Sequence, residues 1–500
     1  PSGENAALLA TLAGTPAGNL KEDANGIFEL NGQKYGFDVA SIPDSVFEYA
    51  EGTKDDYNFT VQEADAEGNL TDKYYKINLK PENFSTSKSI TWTEVPEAQK
   101  DDKDDDLSDG KVSAVIAVRL PNDQTKYFQY TYTKPDGRII YSTRQVNFTG
   151  DVIDADFIGN FLSANYPAGG AIYNTGIRNK INGNFISNYL IGNGIQGGAI
   201  YNIGTIENIT GNFVGNYAAS TGNFAYGGAI YNDRATIGSI NANFADNYTS
   251  LGHSWGGGIA NSGIISSIAG NFISNHTTSN GGAIFNGSIF DGPDVAINNV
   301  YGDFINNYVA SSSSGDDVAS GGAIFNGSVF GGFSNVKIGS IIGDFIGNHV
   351  SSVIYSSYGG AIFNGTTKFD YTTSNGYASL GDITGNFIAN YAVSVNDSAY
   401  GGAISNYGYA QYSSLGNITG SFIKNYAVSD SKSAFGGAIY NGIKDKGSVA
   451  LGYVSGNFLN NYVQTKSITQ LAYGGAVYTE GNMTFAAGEQ KTYFMSGNYT

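Results

Sequence analysis

The chain has 500 residues, a formal net charge of −18 and no Cys. Negative charge of this size repels phosphate backbones, so nucleic-acid binding is disfavoured, and the lack of Cys excludes disulfides, thiolate metal sites and a Cys nucleophile. The 36 Tyr and 29 Phe supply ample apolar surface for a core, so the composition is not that of a disordered chain. No apolar run reaches about 18 residues, so we expect no membrane-spanning helix.

The first residues do not form a convincing export signal. The apolar stretch 6–14 follows Glu4 and has no basic segment in front of it, so it makes a poor signal peptide. Residue 1 is Pro rather than Met, and we therefore expect the chain to be a piece of a longer protein.

Composition divides the chain near residue 150. Residues 1–150 hold 25 of the 44 Asp and Glu residues and 15 of the 26 Lys and Arg residues, whereas Gly and Asn are concentrated behind them. We predict a small β-rich N-terminal domain over 1–150 and a repeat array over 151–500.

The N-terminal part contains segments rich in β-branched and aromatic residues, which are typical of strands. The predicted strands are Lys73–Lys80, Val112–Leu120, Lys126–Lys134 and Arg138–Asn147. Pro135, Asp136 and Gly137 have good turn chemistry, so we predict a hairpin between the last two strands.

An acidic run, Asp101–Asp109, lies between these strands. It is most simply a solvated loop. A calcium site is the alternative, but the spacing of an EF-hand loop is missing.

Two motifs alternate strictly through residues 151–500. The first, Gly-Gly-Ala-Ile-aromatic-Asn with mild variants, begins at Gly169, Gly197, Gly227, Gly256, Gly281, Gly321, Gly359, Gly401, Gly436 and Gly474. The second, Phe-x-x-Asn, begins at Phe157, Phe185, Phe213, Phe244, Phe272, Phe304, Phe345, Phe387, Phe422 and Phe458, and a looser copy begins at Phe494. A third apolar segment precedes most Phe copies, and inserts such as 311–320 and 366–375 are rich in Ser, Thr, Asp and Gly, as exposed loops are.

Three short strands and their turns make one coil of a parallel β-helix, in which each coil finds its backbone partners in the coils above and below. We therefore predict an all-β chain: a right-handed single-stranded parallel β-helix of about ten coils behind the β-rich domain. A leucine-rich horseshoe lacks its signature here, and a β-propeller is disfavoured by the variable unit length.

The repeats also predict where side chains point, since neighbouring strand residues face opposite sides. The motif Phe should stack in a column inside the helix, with the next residue outside. In the Gly-Gly motif, Ile should face the core and the following Tyr or Phe should lie outside or be partly covered. The Asn that ends this motif should occupy a left-handed corner and form a ladder, and the Gly pair should allow a bend or a close approach between coils.

The alternation of GGA[ILV] and FxxN over residues 155–500 resembles the passenger regions of chlamydial polymorphic outer-membrane proteins and related Gram-negative autotransporters. The resemblance implies a passenger that crosses the periplasm and acts at the bacterial cell surface, commonly as an adhesin, with its outer-membrane anchor outside this chain. The chain departs from many of those proteins in having no Cys.

Acidic residues are the first candidates for chemistry in the array. Asp156, Asp303 and Asp344 replace the Asn before the motif Phe, and Asp246 lies inside its motif. An acidic pair on one face is what a polysaccharide hydrolase or lyase needs. The simpler interpretation is that these residues occupy the Asn position because Asp has the same shape.

The His residues are the second candidates. His276 and His349 take the place of Tyr after the Phe motif, so they belong to an aromatic row, and a metal pair is the minor alternative. His253 lies near Trp255 in an insert and is interpreted as a loop residue. Asn-x-Ser/Thr sequences occur at Asn208, Asn247, Asn286, Asn326, Asn364 and Asn417, where composition alone explains most of them.

The sequence thus predicts an extracellular, surface-exposed stalk or adhesin-like passenger that binds a host or neighbouring cell surface, protein or glycan, through its inserts and exposed side-chain rows. The alternatives are a self-assembling filament subunit, in which rods stack end to end, and a carbohydrate-active lyase or hydrolase. We predict no catalytic, metal or cofactor-binding residue and do not expect an enzyme. The N-terminal domain should cap the first coil or present the ligand site.

Overall fold

The computed structural model describes the backbone of strands β1–β5 (Ile27–Leu30, Gln33–Gly36, Phe47–Glu51, Thr60–Ala64 and Leu70–Ile77). It then describes residue 84 and residues 87–484 apart from gaps at 121–123, 143–147, 289–291, 313–317, 330–333, 368–376, 410–411, 445–446, 468 and 481. Strands β1 and β2 form an antiparallel pair, and β5 lies between β3 and β4. The predicted strand Lys73–Lys80 overlaps β5. The looser repeat at Phe494 lies outside the described residues, as do half of the insert 311–320 and most of the insert 366–375.

The repeat array is a parallel β-helix whose coils form three parallel sheets, as the sequence predicts. The first sheet has 21 strands: Ile140–Tyr141, Val152–Asp154, Asp156–Ile158, Ile177–Asn182, Phe185–Ile186, Thr205–Val214, Thr236–Ala245, Ile264–Ala269, Phe272–Ile273, Val295–Tyr301, Phe304–Ile305, Val336–Ile342, Phe345–Ile346, Tyr377–Thr384, Phe387–Ile388, Tyr412–Leu415, Ile418–Thr419, Phe422–Ile423, Ser448–Ser455, Phe458–Leu459 and Asn482–Thr484.

The second sheet begins after the Phe motif and is extended by a shorter ladder before the Gly pair. Its strands are Phe161–Ser163, Tyr189–Gln196, Tyr217–Tyr226, Tyr248–Ser250, His253–Trp255, His276–Thr277, Tyr308–Ser311, His349–Ser352, Tyr391–Ser394, Tyr426–Ser429 and Tyr462–Thr465, with Ala319–Ser320, Ser357–Tyr358, Ala399–Tyr400, Ala434–Phe435 and Ala472–Tyr473 in the shorter ladder.

The third sheet follows the Gly pair and has ten strands, one for each coil. These are Ile172–Asn174, Ile200–Asn202, Ile230–Asn232, Ile259–Asn261, Ile284–Ser288, Ile324–Val329, Ile362–Thr367, Ile404–Tyr409, Ile439–Lys444 and Val477–Thr479. At an inter-strand spacing of about 4.8 Å, ten coils make a rod roughly 45 Å long.

The motif Phe residues form one column inside the rod. From Phe157 to Phe458, successive ring centroids are 4.6–4.9 Å apart and the rings are within 5° of parallel. Their strands pair in register, with Phe157 beside Phe185 and so on along the rod. The prediction of a single continuous Phe column is confirmed.

The Ile of the Gly-Gly motif also faces this core, as predicted, but the aromatic residue after it is more buried than the sequence suggested. Tyr201, Tyr231 and Phe285 are at most 7% exposed. They lie outside the coil in a second hydrophobic cluster with aromatic residues that precede the Gly pair, among them Trp255 and Tyr358. Comparing the repeats did not predict this aromatic layer, because its other members precede the Gly-Gly motif and are not part of it.

Two Asn ladders run along the rod. In the ladder of the Phe motif, from Asn160 to Asn461, each Nδ2 donates to the Oδ1 of the next Asn at 2.7–3.0 Å. The same Oδ1 accepts the backbone N–H of the preceding Asn, and Nδ2 also donates to a Phe carbonyl of the previous coil. Each buried amide is thereby saturated.

The second ladder is the one predicted for the Gly-Gly motif. From Asn174 to Asn441 each Nδ2 lies 2.7–2.8 Å from the next Oδ1. The predicted left-handed backbone at these Asn residues is wrong. Positive φ is instead found at the residue before the Asn of the Phe motif, such as Ser274 or Lys424, and at the first Gly of each Gly pair.

The Gly pair is required by both backbone conformation and space. The first Gly, for example Gly281, has φ of +69°, and a Cβ there would stand 2.3 Å from the carbonyl of Ile284. A Cβ on the second, Gly282, would stand 2.0 Å from the carbonyl of Gly322 in the next coil. The predicted bend and close approach are both present.

A four-stranded antiparallel sheet lies along the side of the rod. Its strands are β6 (Ile90–Val95), β7 (Lys103–Asp104), β8 (Lys111–Arg119) and β9 (Thr125–Thr133), in the spatial order β6-β9-β8-β7, with short 3₁₀ turns at Glu97–Gln99 and Leu107–Asp109. We call it the docked sheet. The predicted strands Val112–Leu120 and Lys126–Lys134 correspond to β8 and β9.

The docked sheet covers the residue that follows each motif Phe. Its inner side chains, including Trp92, Val118 and Phe128, form one buried cluster with a column of mostly Ile residues on the rod. That column runs from Ile158 to Ile423. The residue after the Phe does point out of the coil as predicted, but it is buried because a second sheet packs on it.

The β8 side of the docked sheet is bonded to the rod at Ala117. The Ala117 carbonyl on β8 accepts hydrogen bonds from Ser274 Oγ at 3.2 Å and Asn306 Nδ2 at 3.4 Å. At the other end, Tyr132 Oη donates to Asp156 at 2.7 Å in the first coil. β8 and β9 therefore run along the rod axis, so the docked sheet covers the side of the rod and reaches beyond the first coil that the sequence analysis expected it to cap.

The first coil is covered by the segment that leads out of the docked sheet. Ile140–Tyr141 pairs in parallel with Asp156–Phe157, so the predicted hairpin between Lys126–Lys134 and Arg138–Asn147 is wrong. Tyr141 stacks on Phe157 at 5.4 Å. The local turn signal was present, but the strand behind it pairs with the rod instead of with β9.

The Asn ladder of the Phe motif should be the rod's most sensitive polar feature. Replacing Asn275 by Ala orphans buried partners on Asn247, Asn307 and Phe244, so we expect the free energy of unfolding to fall by roughly 3 kcal/mol or more. Urea unfolding followed by far-UV circular dichroism measures the loss. The exposed Asn179→Ala variant is the control and should stay within about 0.5 kcal/mol of the parent; equal midpoints for both variants would contradict the ladder's role.

Candidate functional site

One row of aromatic side chains begins the strands of the second sheet at the corner after the Phe motif. We call it the aromatic row: Phe161, Tyr189, Tyr217, Tyr248, His276, Tyr308, His349, Tyr391, Tyr426 and Tyr462. Successive ring centroids are 4.5–5.1 Å apart. Because neighbouring rings cover each other's faces, the row presents ring edges and hydroxyl groups to the outside.

The prediction that His276 and His349 belong to this row is confirmed. Tyr308 lies between them, 4.6 Å from the His276 ring and 5.1 Å from the His349 ring. Each Nδ1 lies 3.3 Å from a backbone carbonyl two residues earlier. The two imidazoles therefore stand on alternate coils and not as an adjacent pair.

Burial sets the charge of this row. It lowers the pKa of His276 and His349 to about 4, so both imidazoles are neutral at neutral pH. Burial likewise raises the pKa of Tyr217 and Tyr308 to about 12. The row is thus an uncharged strip that offers hydrogen bonds but no fixed charge of its own.

An open groove of about 430 Å³ lies where the docked sheet ends against this row. The docked sheet contributes Arg119 and Leu120 to its lining. The rod contributes three members of the aromatic row, Tyr391, Tyr426 and Tyr462. It also contributes the positive-φ residue before the Asn of the Phe motif, which we call the left-handed corner, from four successive coils: Gly347, Ala389, Lys424 and Asn460. Among the described residues of this lining, the two that carry charge are both cations.

Arg119 fixes one wall of the groove. Its Nη1 donates to Tyr391 Oη at 3.0 Å, and its guanidinium carbon lies 5.7 Å from the Tyr391 ring centroid. Lys424 has φ of +54°, and its counterparts on neighbouring coils are Ala389 and Asn460 at φ of +52° and +53°. The left-handed corner turns these side chains outward. The backbone is the same in all of these coils, and only the side chain differs at Lys424.

The acidic candidates before the motif Phe serve the structure. Asp156 is fully buried, accepts from Tyr132 and pairs with Arg138, whose Nη2 lies 3.0 Å from Asp156 Oδ1. Asp303 and Asp344 occupy successive coils, and the Asp344 N–H donates to Asp303 Oδ1 at 2.9 Å. These carboxylates take the places of Asn, as the simpler interpretation held, and all three are at most 8% exposed.

Asp246 occupies the left-handed corner beneath the docked sheet, with φ of +54°. Burial raises the pKa of its carboxyl to about 7. Tyr130 of β9 lies over the same corner column, where its hydroxyl would be 3.4 Å from a Cβ on Gly215. The interface between sheet and rod thus contains one acid that is half protonated near neutral pH.

The remaining candidates are on or near the surface or inside ladders. Most side chains of the run Asp101–Asp109 are exposed, and Asp106 accepts the Ser108 N–H at 2.9 Å, so the run is solvated as predicted, although it contains the short strand β7 and a 3₁₀ turn. His253 is in a short strand and stacks beside Trp255, with centroids 5.9 Å apart. Asn247, Asn286, Asn326 and Asn364 of the Asn-x-Ser/Thr sequences are buried ladder members, whereas Asn208 and Asn417 are not buried.

Within the described part of the chain, no helix is long and apolar enough to cross a membrane. The same residues contain no cluster of three or more His, Cys, Asp or Glu side chains arranged for a metal ion. The fold and site together define a parallel β-helix protein with a laterally docked sheet. Comparisons with protein-family models, curated proteins and solved structures give no match.

The groove was not predicted from the sequence. Arg119 and Lys424 belong to different structural units, and nothing in either local motif indicates that they meet. The signal that could have found Lys424 is its position, because aligning the Phe motifs shows a lysine where other coils have Gly, Ser, Asp, Asn or Ala.

The His residues of the aromatic row make the fold acid-sensitive. Because the folded pKa of about 4 is below the ordinary 6.5, the unfolded chain takes up protons first, and stability is lost as pH falls from about 6.5 to about 4. The variant His276→Tyr/His349→Tyr, which copies the other coils, should keep its melting temperature better between pH 7 and pH 5 than the parent. Thermal melts at both pH values test this, with the single variants expected midway; parallel losses in parent and double variant would refute it.

Proposed function

We propose that the chain is an extracellular rod of a bacterial cell surface, adhesin-like, which binds host or neighbouring surfaces. The observation that carries this proposal is the unbroken register of ten coils, held by the Phe column and two Asn ladders. Such a scaffold holds outward side chains in straight rows with fixed spacing. Repeated, stiff rows suit contact with an extended surface better than they suit a single small substrate.

The geometry also indicates which side meets the partner. The outer face of the Ile column is covered by the docked sheet, and the third sheet is covered by its aromatic layer. The groove and the three aromatic-row members that line it stay accessible beside the docked sheet. We propose this region, together with the inserts, as the binding side.

Export through the periplasm is supported by composition. An absence of Cys prevents unwanted disulfides in an oxidising compartment. The family resemblance in the repeats adds the outer-membrane route. Surface labelling of intact source cells with antibodies against the chain tests this location, and labelling only after lysis would contradict it.

Adhesion is tested with beads coated with the full chain. We expect them to bind a layer of epithelial or neighbouring bacterial cells severalfold better than beads coated with albumin, and soluble chain should compete. The same beads coated with a chain unfolded through Asn275→Ala and mild urea control for general stickiness. Binding that equals albumin, or that survives loss of the fold, would count against a surface-binding rod.

Filament formation is the second candidate, and one observation favours it. Large apolar side chains are exposed on the first coil, where Phe161, Tyr173 and Ile177 are 46%, 55% and 68% exposed. End-to-end stacking of rods would cover them. Electron microscopy of the purified full chain distinguishes the two: filaments that lengthen with concentration support assembly, and isolated rods at every concentration exclude it.

A further inference from the structure

We propose that the groove binds an acidic saccharide, whose anionic group is held between Arg119 and Lys424. The inference rests on the proposed surface-binding function and gives its ligand class. It is carried by the convergence of two cations from separate structural units on one groove, in a chain with net charge −18. An anion there gains charge-assisted hydrogen bonds from an Arg fork and an ammonium group.

The floor of the groove favours a ligand rich in hydroxyl groups. Tyr391, Tyr426 and Tyr462 follow one another at 4.9 and 5.0 Å, and each presents a phenolic hydroxyl on the same corner. Both ring faces of Tyr391 and Tyr426 are covered by stacking, so an apolar ligand finds little surface on these two rings. Asn460 adds an amide to the lining. A sugar chain, with hydroxyls on every ring, matches such a regular ladder of donors and acceptors.

An acidic peptide is the competing ligand class, and the docked sheet argues against it. Extended peptides commonly bind by adding a strand to an open sheet edge. Along β8 the carbonyl of Ala117 is already bonded to Ser274 and Asn306 of the rod. At Ala117 the edge of β8 is therefore already occupied by the rod, which disfavours the addition of a peptide strand at this point.

The left-handed backbone at Lys424 allows a variant that removes the charge without changing the backbone conformation. Lys424→Asn removes the cation and places at this corner the residue that the next coil carries at Asn460, with φ of +53° there. Asn tolerates this conformation, so the backbone should be unchanged. Lys337→Asn is the matched control, because Lys337 is exposed on the first sheet of the rod, outside the groove. Arg119→Lys keeps the charge but removes the planar fork.

The test is calorimetric titration of the full chain with trigalacturonate, sialyllactose, a sulfated disaccharide, lactose and a hexaglutamate peptide. We expect at least one acidic saccharide to bind about tenfold more tightly than lactose, and Lys424→Asn to weaken it on the order of tenfold. Lys337→Asn should bind as the parent does, and Arg119→Lys should weaken carboxylated and sulfated ligands alike. Circular dichroism melts confirm that the variants are folded.

Several results would overturn the inference: equal affinity for lactose and the acidic saccharides, tightest binding to hexaglutamate, no effect of Lys424→Asn, or no binding of any probe at millimolar concentration. The bead assay separates this from the proposed function. If the beads adhere but no acidic saccharide binds, the rod binds surfaces by another route and the groove inference alone fails. If saccharides bind but the beads do not adhere, the surface-binding proposal alone fails.

Discussion

The rest of the structure depends on amide side chains that hydrogen-bond to their own copies in the coils on either side. An Asn of the Phe motif, such as Asn275, donates to Asn307 and Phe244 and accepts twice from Asn247. No other side chain of that length offers two donors and a doubly accepting oxygen. The ladder therefore requires every coil to return to the same point, and it forces the Phe rings into register at the inter-strand spacing.

This constraint separates positions that are fixed from positions that vary. Inside the coil, Phe and Ile repeat because stacked copies must fill the same volume. Outside, the left-handed corner takes Gly, Ser, Asp, Asn, Ala or Lys without disturbing the core, and the docked sheet uses this freedom by bonding to Ser274 and Asn306. Lys424 results from the same freedom. The proposed binding surface therefore uses positions of the coil that the Asn ladder does not need.

Repetition explains how much could be predicted. The Phe column, the core Ile and the Asn ladder of the Gly-Gly motif followed from comparing one repeat with the next, since each copy tests the same position again. The Asn ladder of the Phe motif was not predicted, although its Asn recurs just as regularly. Residues 84–150 offer no such comparison. Turn chemistry at Pro135–Gly137 is local and predicted a hairpin, whereas the pairing of Ile140–Tyr141 with the rod is decided by tertiary contacts that no local pattern encodes. The docked sheet, and with it the groove at Arg119, depends on those contacts and could not be predicted.

Electrostatics gives the groove a particular character. Solvent-exposed charges are screened beyond about 8 Å at physiological salt, so two cations on an acidic rod act only at short range. A polyanion therefore feels no long-range attraction to this acidic chain, and attraction begins only when its charged group reaches Arg119 and Lys424. Contact must then be completed by the hydroxyl ladder of Tyr391, Tyr426 and Tyr462. Such a site discriminates by direct fit and not by general attraction, which agrees with the surface-binding role proposed for the rod.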